Sequence, residues 1–283
     1  MSTQRPRTWF ITGTSRGFGR SLAEAVAAHG DQVFATARNA ASVDTLVAHA
    51  PRHIAGTTLD VTDAAAATVA VASAIRRFGR IDVLVNNAGY GLAGAVEEVD
   101  EDQIRAQFET NVFGALRLTR LVLPHMRERR SGHILQISSI AGIAASPGLG
   151  IYNASKFALE GFSEALADEV APFGIRVTLI EPGPFRTDWA GPSLATPRHR
   201  IDAYAETAHR TIARLNGYSG QQAGDPVRAA AAMIAVVETA NPPLHLPLGR
   251  WALDRMHDKL GLLARETAKW EARSRATDFT DDE

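Results

Sequence analysis

Short apolar runs rich in β-branched and aromatic residues recur along this chain at 9–11, 32–37, 54–59, 81–85, 133–137 and 176–180. Each is separated from the next by a stretch long enough for a helix. A strand buried on both faces reads as a continuous apolar run, and its alternation with helical segments calls for a parallel sheet covered on either side. The expected fold class is therefore α/β, a doubly wound parallel sheet of Rossmann type with helices on both faces. In such a sheet ligands bind outside the carboxyl ends of the strands, so chemistry-bearing residues are sought there.

The length of 283 residues suits one such domain spanning 1–283. A net charge of −1 gives no electrostatic reason to expect nucleic acid or an acidic membrane as partner. The absence of cysteine removes disulfides, thiolate zinc sites and a cysteine nucleophile together. His49 and His53 lie four apart, but Pro51 between them opposes a helical ligand pair, so no metal is expected. The start, 1–7, is short and polar, and the longest apolar stretch, 229–237, is far too short to span a bilayer. A soluble, cytoplasmic protein with a small-molecule partner is expected.

Between 184 and 224 the pattern loosens, with Pro184, Pro192 and Pro197 preceding a mixed helical stretch at 201–215. A long segment beside a site is either a substrate lid or a surface insertion. After Pro226 comes an alanine-rich helix, then a short strand at 244–246. The C-terminal extension, 241–283, carries a charged tail from 251 to about 273 in which Trp251, Leu253, Met256, Leu260 and Leu263 mark an amphipathic helix. It is expected to pack on its own domain or on a partner subunit, with Asp281, Asp282 and Glu283 fraying.

Gly13, Ser15, Arg16, Gly17, Phe18 and Gly19 follow the first strand directly and open the first helix. Glycines there let the backbone turn tightly and approach a pyrophosphate, which a helix N-terminus attracts. At the end of the second strand, where a carboxylate would favour NAD by accepting from the ribose 2′-hydroxyl, the chain has Ala37 and then Arg38. Arg38 and Arg16 either grip a 2′-phosphate or are solvated surface residues. The reading is NADP(H), with NAD(H) left open. Asp60 and Val61 end the third strand, where the aspartate either meets an adenine amino group or caps the next helix. Asn86, Asn87, Ala88 and Gly89 close the fourth strand, as a cofactor-facing segment or as a plain turn.

Tyr152 and Lys156 share one face of a helix at i and i+4. A fixed ammonium beside a phenol lowers its pKa from about 10, giving a proton donor and acceptor for carbonyl chemistry.

The motifs Gly13-x-x-x-Gly17-x-Gly19, Asn86-Asn87-Ala88-Gly89, Ser139, Tyr152-x-x-x-Lys156 and Pro182-Gly183, in this order at successive strand ends, resemble those of the short-chain dehydrogenase/reductase family. The resemblance runs from about Thr8 to Thr187. It implies a single Rossmann-type domain transferring hydride between NAD(P) and an alcohol or carbonyl. It makes Tyr152 the acid/base and Lys156 the residue that depresses its pKa and holds the nicotinamide ribose. Ser139, preferred over Ser138 on spacing, would bind the substrate oxygen, and Asn111 would hold a water on the proton path. Pro182 and Gly183, followed by Phe185 and Thr187, would border the nicotinamide. The family also implies a homodimer or homotetramer.

Around the substrate we expect Gly91, Leu92 and Ala93 after the fourth strand, the 145–149 segment with Ala145 and Leu149, and Trp189 in the 184–224 segment. These are apolar or small, so the expected substrate is an uncharged, fairly hydrophobic carbonyl or secondary alcohol. Two other readings remain at this point: an isomerase or dehydratase using nicotinamide transiently, and a non-catalytic NADP(H)-sensing protein. Net cofactor turnover distinguishes them.

Overall fold

The computed structural model of the chain describes residues 5–191 and 193–279; Pro192 and the terminal Asp281, Asp282 and Glu283 lie outside the described residues. In chain order the elements are β1 (Thr8–Thr12), α1 (Gly17–Ala28), β2 (Gln32–Ala37), α2 (Ala40–His49), β3 (Ile54–Thr58), α3 (Ala64–Phe78), β4 (Val83–Asn86) and the two-residue β5 (Gly91–Leu92). There follow α4 (Glu101–Phe108), α5 (Ala115–Glu128), β6 (Gly132–Ile137), α6 (Gly150–Val170), β7 (Ile175–Pro182) and a second short strand, β8 (Leu194–Ala195). The chain ends with α7 (Arg210–Gly217), α8 (Pro226–Glu238), β9 (His245–Leu248) and α9 (Arg250–Arg275).

Seven strands form one sheet in the order β3-β2-β1-β4-β6-β7-β9, and every pairing is parallel. This is the doubly wound sheet that the apolar runs call for. Alternate side chains of each strand enter opposite cores, as the two-residue period requires. Trp9, Ile11, Val33 and Val85 face α1 and α8 with Leu22, Val26 and Met233, whereas Phe10, Phe34, Leu84 and Ile134 face α3 and α5 with Ala70, Leu118 and Val122. Phe10 is fully buried and stacks on Phe34 at 5.6 Å; burying one such ring contributes about 1.5–3 kcal/mol. The Trp9 indole N–H, equally buried, donates to Asp31 Oδ2 at 2.9 Å, so no polar atom is stranded there.

Strand limits differ from the sequence reading where burial and ladder pairing part company. Ile81 is buried but unpaired, and pairing of β4 begins at Val83 opposite Trp9. The strand expected at 244–246 runs instead from His245 to Leu248, opposite Leu179–Pro182. The stretch at 201–215 is three pieces: a 3-10 turn (Asp202–Tyr204), a π-turn (Ala205–His209) and α7. Buried Glu98 explains the break, accepting from Ile201 N at 2.7 Å and bonding His209 Nε2 at 2.7 Å. No helix among the described residues is long and apolar enough to cross a membrane.

Candidate active site

The carboxyl ends of β1, β2, β4, β6 and β7 open onto one cleft of about 1040 Å³. At its first end, Gly13 and Gly17 adopt φ of +68° and +57°, the left-handed region that favours glycine. A Cβ on Gly19 would strike Asn87 Nδ2 and the Gly13 carbonyl. That crowding comes with close bonding between the two turns: Asn87 Nδ2 donates to Thr12 O at 2.7 Å and Gly13 O at 3.1 Å, while Thr12 Oγ1 accepts from the backbone N–H of Asn87 and of Ala88, both at 2.9 Å. The Gly-rich turn and the Asn-Asn-Ala-Gly turn are thus one joined structure. Asn86 ties strands, donating to Ala115 O, Thr119 Oγ1 and Gln136 Oε1. Arg16, the residue before α1, makes no side-chain cap, so the first-turn N–H groups of that helix keep their partial positive charge towards the cleft.

Arg38 and Arg16 are exposed on the cleft wall and form no ion pair among the described residues. Asp60 also lines the wall. Burial works against its charge, yet the Thr62 N–H at 2.9 Å, the Thr62 hydroxyl and the Arg38 guanidinium hold it below the usual carboxylate range. The cap of α3 is Asp63, which accepts from Ala66 N at 2.9 Å, so the capping alternative for Asp60 is answered by its neighbour. This wall fits a dinucleotide: close-approach glycines, uncapped helix amides, and cationic groups where β2 ends.

The other end of the cleft holds Ser139, Tyr152 and Lys156. Tyr152 is buried, and the Trp189 ring lies 5.1 Å from the tyrosine ring, tilted by 52°. Burial pushes the phenol up to about 12, with the polar groups of Ser139 and Trp189 pulling the other way. The sequence-based expectation of a depressed tyrosine is therefore not met by the protein alone. Lys156 Nζ stands 5.9 Å from the ring centroid and donates to Ile137 O at 2.8 Å, and burial lowers it to about 8 against the pull of Glu160. The lysine charge does not outweigh the desolvation of so deeply buried a phenol.

Ser139 accepts from Ala141 N at 3.1 Å and reaches Pro182 O at 3.5 Å. Ser138 is instead bonded to Glu160, four residues beyond Lys156. Glu160 and Glu181 are both buried, and His245 Nδ1 meets Glu181 Oε1 at 2.6 Å and Glu160 Oε2 at 3.7 Å. Burial drives both carboxyls up, so the pair holds a proton where ordinary glutamates have lost it. Sequence reasoning missed this cluster, because three of its members are scattered over 138, 181 and 245; only the i+4 step from Lys156 to Glu160 was visible.

Asn111 sits in a π-turn, Glu109–Gly114, between α4 and α5. Its amide is consumed by Tyr90 N and O at 3.1 Å each and by Ser155 Oγ at 3.2 Å, so the side chain braces the segment after β4 and touches neither Tyr152 nor Lys156. Ser15, Phe18, Val61, Gly89, Pro182, Gly183, Phe185 and Thr187 line the cleft, Phe185 packing edge-on to Phe18 at 5.1 Å. Of the substrate-side residues, Leu149 and Trp189 line it. Gly91, Leu92 and Ala93 are buried behind it, where Gly91 leaves space for the Trp189 indole. Ala145 points to solvent and Ala144 and Ser146 take its place. Leu215, Tyr218, Gln222 and Trp251 also line the cleft, brought from far along the chain. The 184–224 segment is pinched at its ends, Gly224 N donating to Pro184 O at 3.1 Å and Arg186 N to Gly224 O at 2.9 Å.

A short chain dehydrogenase family model matches residues 7–197. The chain is 40% identical over 272 residues to oxidoreductase BOA17 of Botryotinia fuckeliana, covering 96% of this chain and 99% of that protein. It is 37% identical to a 3-ketodihydrosphingosine reductase of Bacteroides thetaiotaomicron, over 87% of this chain and 88% of the relative. The crystal structure of a short-chain dehydrogenase from Streptomyces avermitilis superposes with a TM-score of 0.92 at 46% identity, covering 98% of this chain and all of the other. Neighbours that hold nucleotide include one from Burkholderia phymatum with NAD (25% identity, TM-score 0.79) and an actinorhodin polyketide ketoreductase variant with NADPH (28%, 0.73). The parallel Rossmann-type sheet agrees with these matches, and the chain belongs to the short-chain dehydrogenase/reductase family, NAD(P)-dependent oxidoreductases of CH–OH and C=O groups.

Proposed function

We propose that this enzyme reduces an uncharged, fairly hydrophobic ketone or aldehyde with NADPH, and that Ser139, Tyr152 and Lys156 carry the proton side of the reaction. The observation that carries this reading is the buried, neutral phenol of Tyr152 between Ser139 and Trp189 at the mouth of β6. A bound nicotinamide supplies or accepts the hydride. The protein's part is to receive negative charge on the substrate oxygen. Ser139 Oγ–H donates to that oxygen, and the phenol, protonated throughout the neutral range, transfers its proton to it. Lys156 holds the ribose side of the site and its charge stabilises the phenolate left behind. The reverse reaction needs Tyr152 as its anion, and a phenol near 12 makes alcohol oxidation favour alkaline pH.

NADP(H) is preferred on the strength of Arg38 and Arg16, both exposed at the end of β2 and the start of α1 with no acidic residue at the Ala37–Arg38 position. The hydrophobic substrate class rests on Leu149, Trp189, Leu215 and Trp251 in the cleft, and accords with the ketone named for the Bacteroides relative. Segment 184–224 acts as the lid, and Asn111 acts through the position of the Tyr90 backbone. Tyr152→Phe tests the assignment: carbonyl-dependent NADPH oxidation should fall by about 10²–10⁴-fold while nucleotide binding, followed by fluorescence, is retained. An undiminished rate would remove Tyr152 from the mechanism.

A further inference from the structure

The last helix leaves the body of the molecule soon after it begins. Ala252 is buried, Arg255, Met256 and Lys259 are half-buried, and Arg255 donates to Ala145 O at 3.2 Å. From Leu260 to Arg275 every residue except Gly261 is exposed. A lone helical stretch of that length is marginal in water and ordinarily owes its stability to packing. Its free surface is not uniformly polar, since Leu253, Leu260, Leu263 and Trp270 are 44, 55, 43 and 54% exposed.

Leu253, Met256, Leu260, Leu263, Thr267 and Trp270 follow one another in alternating steps of three and four. A repeat of 3.5 stays on one seam only when two helices wind about each other. We infer that α9 pairs antiparallel with α9 of a second copy of this chain. In the register that sets Leu260 against Leu263 of the second copy, Leu253 meets its Trp270 and Met256 its Thr267. Two-fold symmetry repeats each contact.

Charge selects this orientation. Lys259 and Glu266 flank the seam on the same side, and the antiparallel register brings each beside the other residue of the second copy. A parallel, in-register pair would set Glu266 against Glu271. The alternative occupant, an anionic membrane, calls for a basic polar face, and here Asp254, Asp258, Glu266 and Glu271 interrupt the bases.

Sedimentation of the full chain tests the pairing. Leu260→Glu/Leu263→Glu should halve the particle mass relative to wild type, with the loss of helical circular dichroism confined to what the 260–275 stretch contributes and cooperative thermal unfolding of the body retained. Lys259→Glu should weaken association by about tenfold, and Lys259→Glu/Glu266→Lys should restore it. Because the chain lacks cysteine, mixing Leu253→Cys and Trp270→Cys proteins under mild oxidation reads the orientation: a disulfide-linked heterodimer is expected. Equal masses for wild type and the double glutamate variant would overturn the inference. So would efficient cross-linking of Leu253→Cys to itself, or a wild-type monomer that binds phosphatidylserine vesicles.

Discussion

Replacing Arg38 by Asp should reverse the nucleotide preference, and its size follows from where the guanidinium sits. Arg38 is exposed at the end of β2, so its charge-assisted hydrogen bond to a 2′-phosphate belongs at the low end of the range for such bonds, about 1.5 kcal/mol. An aspartate there adds repulsion of about 1 kcal/mol per unit charge at about 4 Å in water-like surroundings, hence about 2 kcal/mol against a phosphate dianion. The sum, about 3.5 kcal/mol, is a change of several hundredfold in the NADPH/NADH ratio of kcat/KM. Arg38→Ala removes the attraction alone and should change the ratio by roughly tenfold. It is the needed control, because Arg38 also helps hold the Asp60 carboxylate low. Initial rates with one carbonyl substrate and both nucleotides give the ratio directly. The NADPH arm should weaken as salt rises, since the contact is solvent-exposed. A ratio that moves less than about threefold in Arg38→Asp would refute the 2′-phosphate assignment.

Glu160→Gln should flatten the pH dependence of stability. Burial raises the Glu160 carboxyl from 4.5 to about 8, so the folded protein keeps a proton that the unfolded chain has released. Wild-type stability therefore declines as pH climbs from about 4.5 to about 8, and the neutral amide lacks this decline; melting temperatures across that window check it, and equal slopes would dismiss the buried-carboxyl account. Gly19→Ala forces a methyl against Asn87 and the Gly13 carbonyl, which should cost about 1–3 kcal/mol and loosen nucleotide binding, both read by thermal shift with and without NADPH. Trp189→Ala, by removing the ring beside Tyr152, should raise kcat/KM for bulky ketones relative to small ones by roughly tenfold; an unaltered ranking would place the indole outside the substrate volume.

The sheet was legible because its strands are buried on both faces and so print as uninterrupted apolar runs, from Trp9 to Ile180. The glycine-rich turn was legible for a related reason: close backbone approach leaves glycine as the residue at 13 and 19, where the structure shows the collisions that enforce it, and a φ of +57° favours glycine at 17. Less visible was anything decided by burial. The spacing of Tyr152 and Lys156 suggests a phenol acidified by its neighbour, but desolvation outweighs a lysine 5.9 Å from the ring. Ala145 and Ser146 are equally plausible cleft residues in sequence, and only the turn before α6 decides which faces inward. Glu181 looks like part of an apolar strand, and nothing in its neighbourhood along the chain announces Glu160 or His245.

The position of β9 in the sheet has a bearing on biosynthesis. Leu248 pairs with Pro182, and Trp251 completes a wall of the cleft that begins at Gly13. A nascent chain can dock β1 through β7 while still being translated, yet its pocket remains unfinished until the final helix has emerged from the ribosome. Such sequence-distant closure makes the late step slow relative to local helix formation. Premature termination anywhere before codon 251 would yield a polypeptide with most of its hydrophobic interior and no finished place for a substrate.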